Sequence, residues 1–308
     1  MCRLLSYLGP KQTMDDFLYH ADNSLIKQTY QPKMMSRIHM LNLAGFGMSV
    51  WNKDSYQPQK PYIYKTTDLP FFDKNLKALA AKLQAECFIA HIRGVSFDTN
   101  QVVSYQNVHP FIFPGFRLVL AHNGVLTGLS EIKKDLYNLI KPEIAAHISG
   151  TTDSEWIYAL LLSQLDNVAA EHDIGVVADA VINTLKVLRK LRGKHKVNLN
   201  SPINLYVSNG EFIIATRFVF DYGIFPRHLH LDEAHMAYHS MWYTFGEKYV
   251  NMGDNHYMMS AGKRRSVIVA SEPLTKDTTT WLEIPEYSLI KVWREDKEIK
   301  FITQDLDV

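Results

Sequence analysis

The residue with the most evident chemistry stands at position 2. Cys2 directly follows the initiator methionine, and a side chain as small as cysteine allows Met1 to be removed. The product carries a thiol and a free α-amine on one residue. An α-amine with a pKa near roughly 8 is partly unprotonated at neutral pH, so it can take the proton of its own thiol, directly or through one water. Nucleophile and base then come together without any histidine. Cys2 also suits a plainer place, as a small apolar residue at a strand start. The second cysteine, Cys87, lies in the apolar run CFIAHI and reads as core.

Three further positions carry groups that amide chemistry needs. Attack on a carbonyl develops an oxyanion, which fixed donors must hold. Asn123 and Gly124, in LAHNGVL, offer a side-chain NH2 and a backbone N–H, although Asn-Gly is also the strongest short hairpin signal. Arg93, in AHIRG, follows an apolar run. A guanidinium there can grip a carboxylate at two points or form a structural ion pair. Asp153, in TTDSE, falls on a helix first turn, where Thr152 and Glu155 read as a capping box and a carboxylate favours the helix dipole.

The elements that must position these groups alternate in blocks. Strands are expected at Arg3 to Leu8, Leu43 to Trp51, Tyr62 to Lys65, Cys87 to Ile92 and Arg117 to Ala121, then at Ser266 to Ala270, Tyr287 to Trp293 and Ile299 to Ile302. Ile203 to Val207 and Phe212 to Thr216 flank Ser-Asn-Gly and read as a hairpin. Helices are expected from Thr13, with Asp16 as an approximate cap partner, and over Phe72 to Gln84, Ser130 to Ile140 and Ser154 to Leu165. A longer one, Ile174 to Leu191, carries apolar residues at Ile174, Val177, Val181, Leu185 and Leu188, with Gly193 as its stop. The grouping favours an α+β layered domain over a doubly wound sheet. No repeat or linker divides the chain, so one domain over residues 1–308 is expected. An irregular insertion is expected near 220–262, and 52–61 and 94–108 read as long loops.

Composition excludes several classes. The formal net charge is +1, which favours neither nucleic acid nor an anionic membrane. The basic run Lys186 to Lys196 ends a predicted helix and reads as a solvated face. Two cysteines make no disulfide framework, and no apolar stretch is long enough to span a bilayer. A cytoplasmic protein is expected. HLHLDEAHMAYH, from His228 to His239, would place His235 and His239 on one face if Glu233 to His239 is helical. No third ligand or catalytic Glu stands at motif spacing, so no metal is expected. With Tyr238, Trp242, Tyr243 and Phe245 the segment reads as an aromatic pocket wall or a subunit contact.

MCRLLSYLG, GFGMSVW, FIAHIRG, NVHPF, LAHNGVL and TTDSEWI occur in that order, followed by SEPLT and WLEIP. Together they resemble the class II glutamine amidotransferases, and most closely the stand-alone branch related to the ergothioneine-pathway and glutathione-degradation amidohydrolases. The resemblance implies a four-layer αββα N-terminal-nucleophile hydrolase sandwich with Cys2 at the start of its first strand. It makes Cys2 the nucleophile and Asn123 and Gly124 the oxyanion hole. Arg93 would bind the α-carboxylate of glutamine and Asp153 the α-ammonium. Ser96 keeps the hydroxyl of the family's Arg-x-x-Thr pattern, while Phe97 departs from the residue that usually follows. His109 and His122 resemble positions beside the site and are expected to support it by hydrogen bonds. The implied activity is cleavage of the γ-amide of glutamine or a γ-glutamyl compound through a Cys2 thioester, with no cofactor. The alternative is a glutaminase subunit supplying ammonia to a separate synthase. A degenerate relative kept as a binding module fits less well, because Cys2, Arg93, Asn123, Gly124 and Asp153 are all retained. The partner implied is a small molecule; a homo-oligomer or a synthase partner stays open.

Overall fold

The structure is a computed structural model that describes residues 2–34, 41–95, 102–167, 170–224, 240–254 and 256–308. Two antiparallel sheets lie face to face. The first is built from β1 (Arg3–Thr13), β2 (Phe46–Trp51), β3 (Tyr62–Thr66), β4 (Gln84–Ile92), β9 (Trp242–Gly246), β12 (Ser266–Ala270) and β13 (Leu282–Glu283). Its order is β13-β9-β12-β1-β4-β2-β3, which puts β1 near the centre. The second contains β5 (Val119–Gly124), β6 (Ser201–Ser208), β7 (Phe212–Arg217), β14 (Ser288–Glu295) and β15 (Glu298–Asp305), in the order β15-β14-β7-β6-β5, with β8 (Val219–Phe220) paired to β6. The period-two alternation of strands sorts each side chain to one face. Leu4, Leu8, Cys87 and Ile89 of the first sheet meet Val119, Ala121, Tyr206 and Ile213 of the second in a dry layer between the sheets.

The outer faces are covered unequally. Behind the second sheet lie α2 (Leu129–Tyr137), α3 (Pro142–Ala145), α4 (Asp153–Ser163) and α5 (Ile174–Lys194). α4 is buried on all sides from Ser154 to Leu162, as expected of a helix apolar all round. α5 presents Val177, Val181, Leu185 and Leu188 as a buried stripe. The cover behind the first sheet is thinner. A π-helical turn at Asp16–His20, α1 (Lys74–Ala80) and the hairpin of β10 (Tyr249–Asn251) with β11 (Tyr257–Met259) bury Leu5, Tyr7, Phe88 and Ala90. The architecture is the α+β sandwich that the resemblance implies.

Several boundaries differ from expectation for identifiable reasons. The helix expected from Thr13 begins directly after it, at Met14 and Asp15, and continues as the π-helical turn Asp16–His20. What differs is β1, which does not end at Leu8. The β1–β4 register shifts between Leu8 and Gln12, and that irregularity absorbs Gly9 and Pro10 and lets the strand run on to Thr13. The helix expected over 72–84 is confined to Lys74–Ala80, because Gln84 is already paired to Thr13. Gly193 does not stop α5, which continues to Lys194; Lys196, at φ 55°, makes the left-handed turn instead. The region 220–262 is not irregular throughout, since it supplies β9, β10 and β11 among the described residues. Only half of the capping box forms. Thr152 Oγ1 accepts from Glu155 N, but the Glu155 carboxylate accepts from Ser149 N and Gly150 N, upstream of the cap.

Candidate functional site

Cys2 sits at the mouth of the sandwich, where β1 begins beside the end of β4. Its Sγ accepts from Gly94 N at 3.5 Å and lies 3.7 Å from Gly94 O, while its carbonyl accepts from Arg3 Nη1 at 3.1 Å. Arg93 stands one residue beyond β4. Its backbone is held by Gly45 and Ala44, and its Nη1 donates to Val102 O at 3.1 Å. Only 4% of Arg93 is exposed. Burial pulls its guanidinium below the ordinary value, against the opposing pull of Cys2 and Asp153.

Asp153 approaches from the helical layer. Its Oδ2 accepts from Leu126 N at 2.5 Å and its Oδ1 from Ser154 N at 2.9 Å. The carboxylate therefore organises the chain after β5 as well as the first turn of α4. It shares with Arg93 a pocket of about 400 Å³, whose wall includes Val102, Val125, Leu126 and Thr152. A cation and an anion at one small pocket are suited to a zwitterionic head group.

Asn123 and Gly124 do not form a turn. They end β5, opposite Asn204 and Ile203 of β6. The Asn123 Nδ2 donates to Ser271 Oγ at 3.3 Å. Gly124 has φ 154°, and a Cβ there would lie 1.9 Å from Pro202 O, so backbone contact and conformation both demand glycine. Its neighbour His122 bridges Ser154 Oγ at 2.9 Å and Pro202 O at 3.3 Å. Because a carbonyl can only accept, Nε2 carries the proton and Nδ1 accepts from Ser154. Burial lowers the His122 pKa, with Asp153 and Pro202 opposing.

The remaining expected residues divide. His109 is buried against His91, with ring centroids 4.1 Å apart, and against Phe111 at 4.7 Å. Its ring nitrogens make no hydrogen bond among the described residues, so the expected support through hydrogen bonding is not what the ring provides here. Ser96 and Phe97 lie outside the described residues, as do Glu233, His235, Tyr238 and His239. Of the aromatic segment, Tyr243 and Phe245 pack on Phe301 between the sheets, at ring centroids of 4.5 and 5.1 Å, and do not line the Arg93–Asp153 pocket. Among the described residues no group of three or more His, Cys, Asp or Glu is placed to hold a metal. Likewise, no helix among them is long and apolar enough to cross a membrane.

Sequence reasoning gave no role to three residues at this site. Arg3 is fully buried beside Glu272, with Nε 3.7 Å from the carboxylate. Glu272 also accepts from Asn23 Nδ2, Lys33 N and Met34 N. Ser271 joins β1 to Asn123. A charged residue at position 3 of an otherwise apolar strand was the available signal for the Arg3 pair.

Comparison with known proteins decides the family. The profile of the class II glutamine amidotransferases matches residues 75–305, most of the chain. The chain belongs to the class II glutamine amidotransferases. A relative of this amidotransferase is the probable glutamine amidotransferase DUG3 of Saccharomyces cerevisiae, 27% identical over 96% of this chain and 82% of the yeast protein. Among solved structures, a glutamine aminotransferase class-II domain protein from Silicibacter pomeroyi superposes with a TM-score of 0.61 at 19% identity over 100% of both chains. The glutamine phosphoribosylpyrophosphate amidotransferase of B. subtilis gives 0.56 at 16% identity, over 100% of this chain and 50% of that one. These two structural likenesses concern the fold. As a glutamine amidotransferase, the protein is an enzyme acting on an amide.

Proposed function

We propose that this amidotransferase cleaves the γ-amide of glutamine or of a γ-glutamyl compound, with Cys2 as nucleophile once Met1 is removed. The observation that carries the reading is the shared pocket of Arg93 and Asp153, at the end of the strand that holds the Cys2 thiol. Arg93 grips the α-carboxylate and Asp153 the α-ammonium, so the γ-carbonyl is directed to the thiol. The α-amine of Cys2 takes the thiol proton, and sulfur bonds to the carbonyl carbon. The oxyanion is held by Asn123 Nδ2–H and the Gly124 backbone N–H. Collapse breaks the C–N bond, and the departing amine takes the proton back from the α-ammonium of Cys2. Water, deprotonated by the same amine, then cleaves the γ-glutamyl thioester and restores the thiol. Ser96 would join the substrate loop, and His122 would keep Ser154 and hence Asp153 in register. A reducing compartment such as the cytoplasm suits a free nucleophilic thiol.

The test compares kcat/KM for glutamine and for its analogue lacking the α-amine, in wild type and Asp153→Asn. Leaving one charge of a buried pair uncompensated costs on the order of 3 kcal/mol, about a hundredfold. Asp153→Asn should therefore lose about a hundredfold on glutamine and far less on the des-amino analogue. An equal loss on both would assign Asp153 to Leu126 and its helix alone, and the head-group reading would be withdrawn.

A further inference from the structure

Ser271 and Glu272 open the run SEPLT, directly after β12. Ser271 is 2% exposed. Its Oγ accepts from Leu4 N at 3.0 Å and from Asn123 Nδ2 at 3.3 Å, and its own N–H donates to Leu4 O at 2.9 Å. One side chain thus ties the strand that begins at the nucleophile, two residues past Cys2, to the Asn123 amide on the opposite sheet. The link joins positions 267 and 148 residues apart in sequence. The next residue faces the other way: Glu272 pairs with Arg3, and Arg3 Nη1 holds the Cys2 carbonyl.

The orientation of an asparagine amide is a soft, roughly two-fold torsion, so nothing intrinsic to Asn123 decides whether nitrogen or oxygen faces a substrate. The distinction governs catalysis. Nδ2 stabilises a developing oxyanion, whereas Oδ1 repels it. A hydroxyl oxygen has two acceptor sites. With Leu4 N on one, Asn123 Nδ2 on the other, and the hydroxyl proton directed to the neighbouring Tyr206 phenol oxygen, Ser271 meets the amide as an acceptor and so favours the orientation that points nitrogen towards it. Nδ2 carries two hydrogens, and the second remains for the reacting oxygen.

We propose that Ser271 is a positioning residue for Asn123: its hydroxyl, anchored on the nucleophile's own strand, sets the Asn123 amide so that nitrogen rather than oxygen is presented to the reacting carbonyl. The inference rests on the reading of Asn123 as an oxyanion donor. It gives a motif distant in sequence a specific task in the same reaction, and it links the position of the nucleophile to that of the oxyanion donor through one atom.

The experiment uses the full chain with Met1 removed, as wild type, Ser271→Ala, Asn123→Ala and the double variant. Loss of an oxyanion donor costs roughly a hundredfold or more in kcat. Ser271→Ala, which leaves the donor present but unaligned, should lower kcat roughly tenfold to a hundredfold and leave KM for glutamine unchanged. In the Asn123→Ala background the same substitution should cost nothing further. Alkylation of Cys2 by iodoacetamide develops no carbonyl oxyanion and should proceed at the wild-type rate in Ser271→Ala. Losses that multiply in the double variant, or alkylation slowed as much as kcat, would show that Ser271 merely holds β1, and would overturn the proposal. A readout independent of turnover is the Asn123 side-chain NH2 signal in a ¹⁵N–¹H spectrum, identified by its absence in Asn123→Ala. Ser271→Ala should shift that signal and speed its exchange with water; an unchanged signal overturns the proposal. Should wild type release no amine from any γ-glutamyl amide, the functional reading fails, and this spectrum still decides the role of Ser271.

Discussion

At the scale of single residues, the two cysteines show how burial separates chemistry from packing. Both thiols are free. Cys87 is wholly buried between the sheets, 3.4 Å from Ser208 Oγ, and burial pushes its thiol up to about 12. At neutral pH almost none of it is thiolate, so it is inert. Cys2 lies at the mouth of the sandwich, within reach of a backbone N–H from Gly94. An electrophilic glutamine analogue should therefore label the native chain once, at Cys2, and only in molecules that intact mass shows to lack Met1. Labelling at Cys87, or full labelling and activity in a preparation that retains Met1 throughout, would remove the mechanism. Cys2, Arg93, Asn123, Gly124 and Asp153 could be put forward from the sequence because they fall in motifs that resemble the family's, and the structure brings Arg93 and Asp153 to one pocket. Ser271 could not, since its link to Asn123 exists only after two sheets have docked. Nor could the double duty of Asp153, whose carboxylate also accepts from Leu126 N.

At the scale of elements, the patterns that were legible were those with one strong signal, and those that were missed were overridden by pairing. The short continuous apolar run of β12, buried on both faces, and the Ser-Asn-Gly hairpin of β6 and β7 appear where expected. The strand β9 was hidden in a segment without clean alternation, because its register is imposed by β12, with Ala270 opposite Trp242. The chain between β1 and β2 depends on a partner that sequence cannot supply. Glu272, completely buried, gathers Asn23 Nδ2, Lys33 N and Met34 N on one carboxylate and balances Arg3. Glu272→Ala removes that carboxylate from a buried guanidinium and from two backbone donors. The expected loss is about 3 kcal/mol of unfolding free energy in urea. Glu272→Gln keeps an acceptor and should lose less. An alanine variant as stable as wild type would show that the pair contributes nothing to the fold.

At the scale of the whole molecule, the layers are held together by a dry apolar interior with neutral imidazoles inside it. His91 comes from β4 of the first sheet and His122 from β5 of the second. His109 is carried by the segment whose Phe111 bridges to Leu120. Burial holds His91 and His109 well below the usual histidine range, and Arg93 adds to the effect on both; Lys65 acts further on His109. His122 is lowered less simply, because Asp153 opposes the shift. In the unfolded chain each imidazole takes a proton as pH falls through about 6.5, whereas in the folded chain it refuses one. The unfolded state then binds more protons, so stability is complete above that pH and declines below it. Each histidine adds a slope of up to about 1.4 kcal/mol per pH unit. The acidic groups lowered in the folded chain, among them Asp135 and Asp277, are exposed and act only near the carboxylate range, well below this window. Unfolding free energy from urea titrations should thus fall by roughly 2–3 kcal/mol between pH 7 and pH 5.5, the sum of His91 and His109 with a smaller share from His122. His109→Phe should shallow the slope by about one proton's worth, whatever it does to stability at pH 7. A flat profile across that interval would mean that these imidazoles, His91 on the inter-sheet face of β4 with His109 against it and His122 facing α4, meet water or a partner in the folded state.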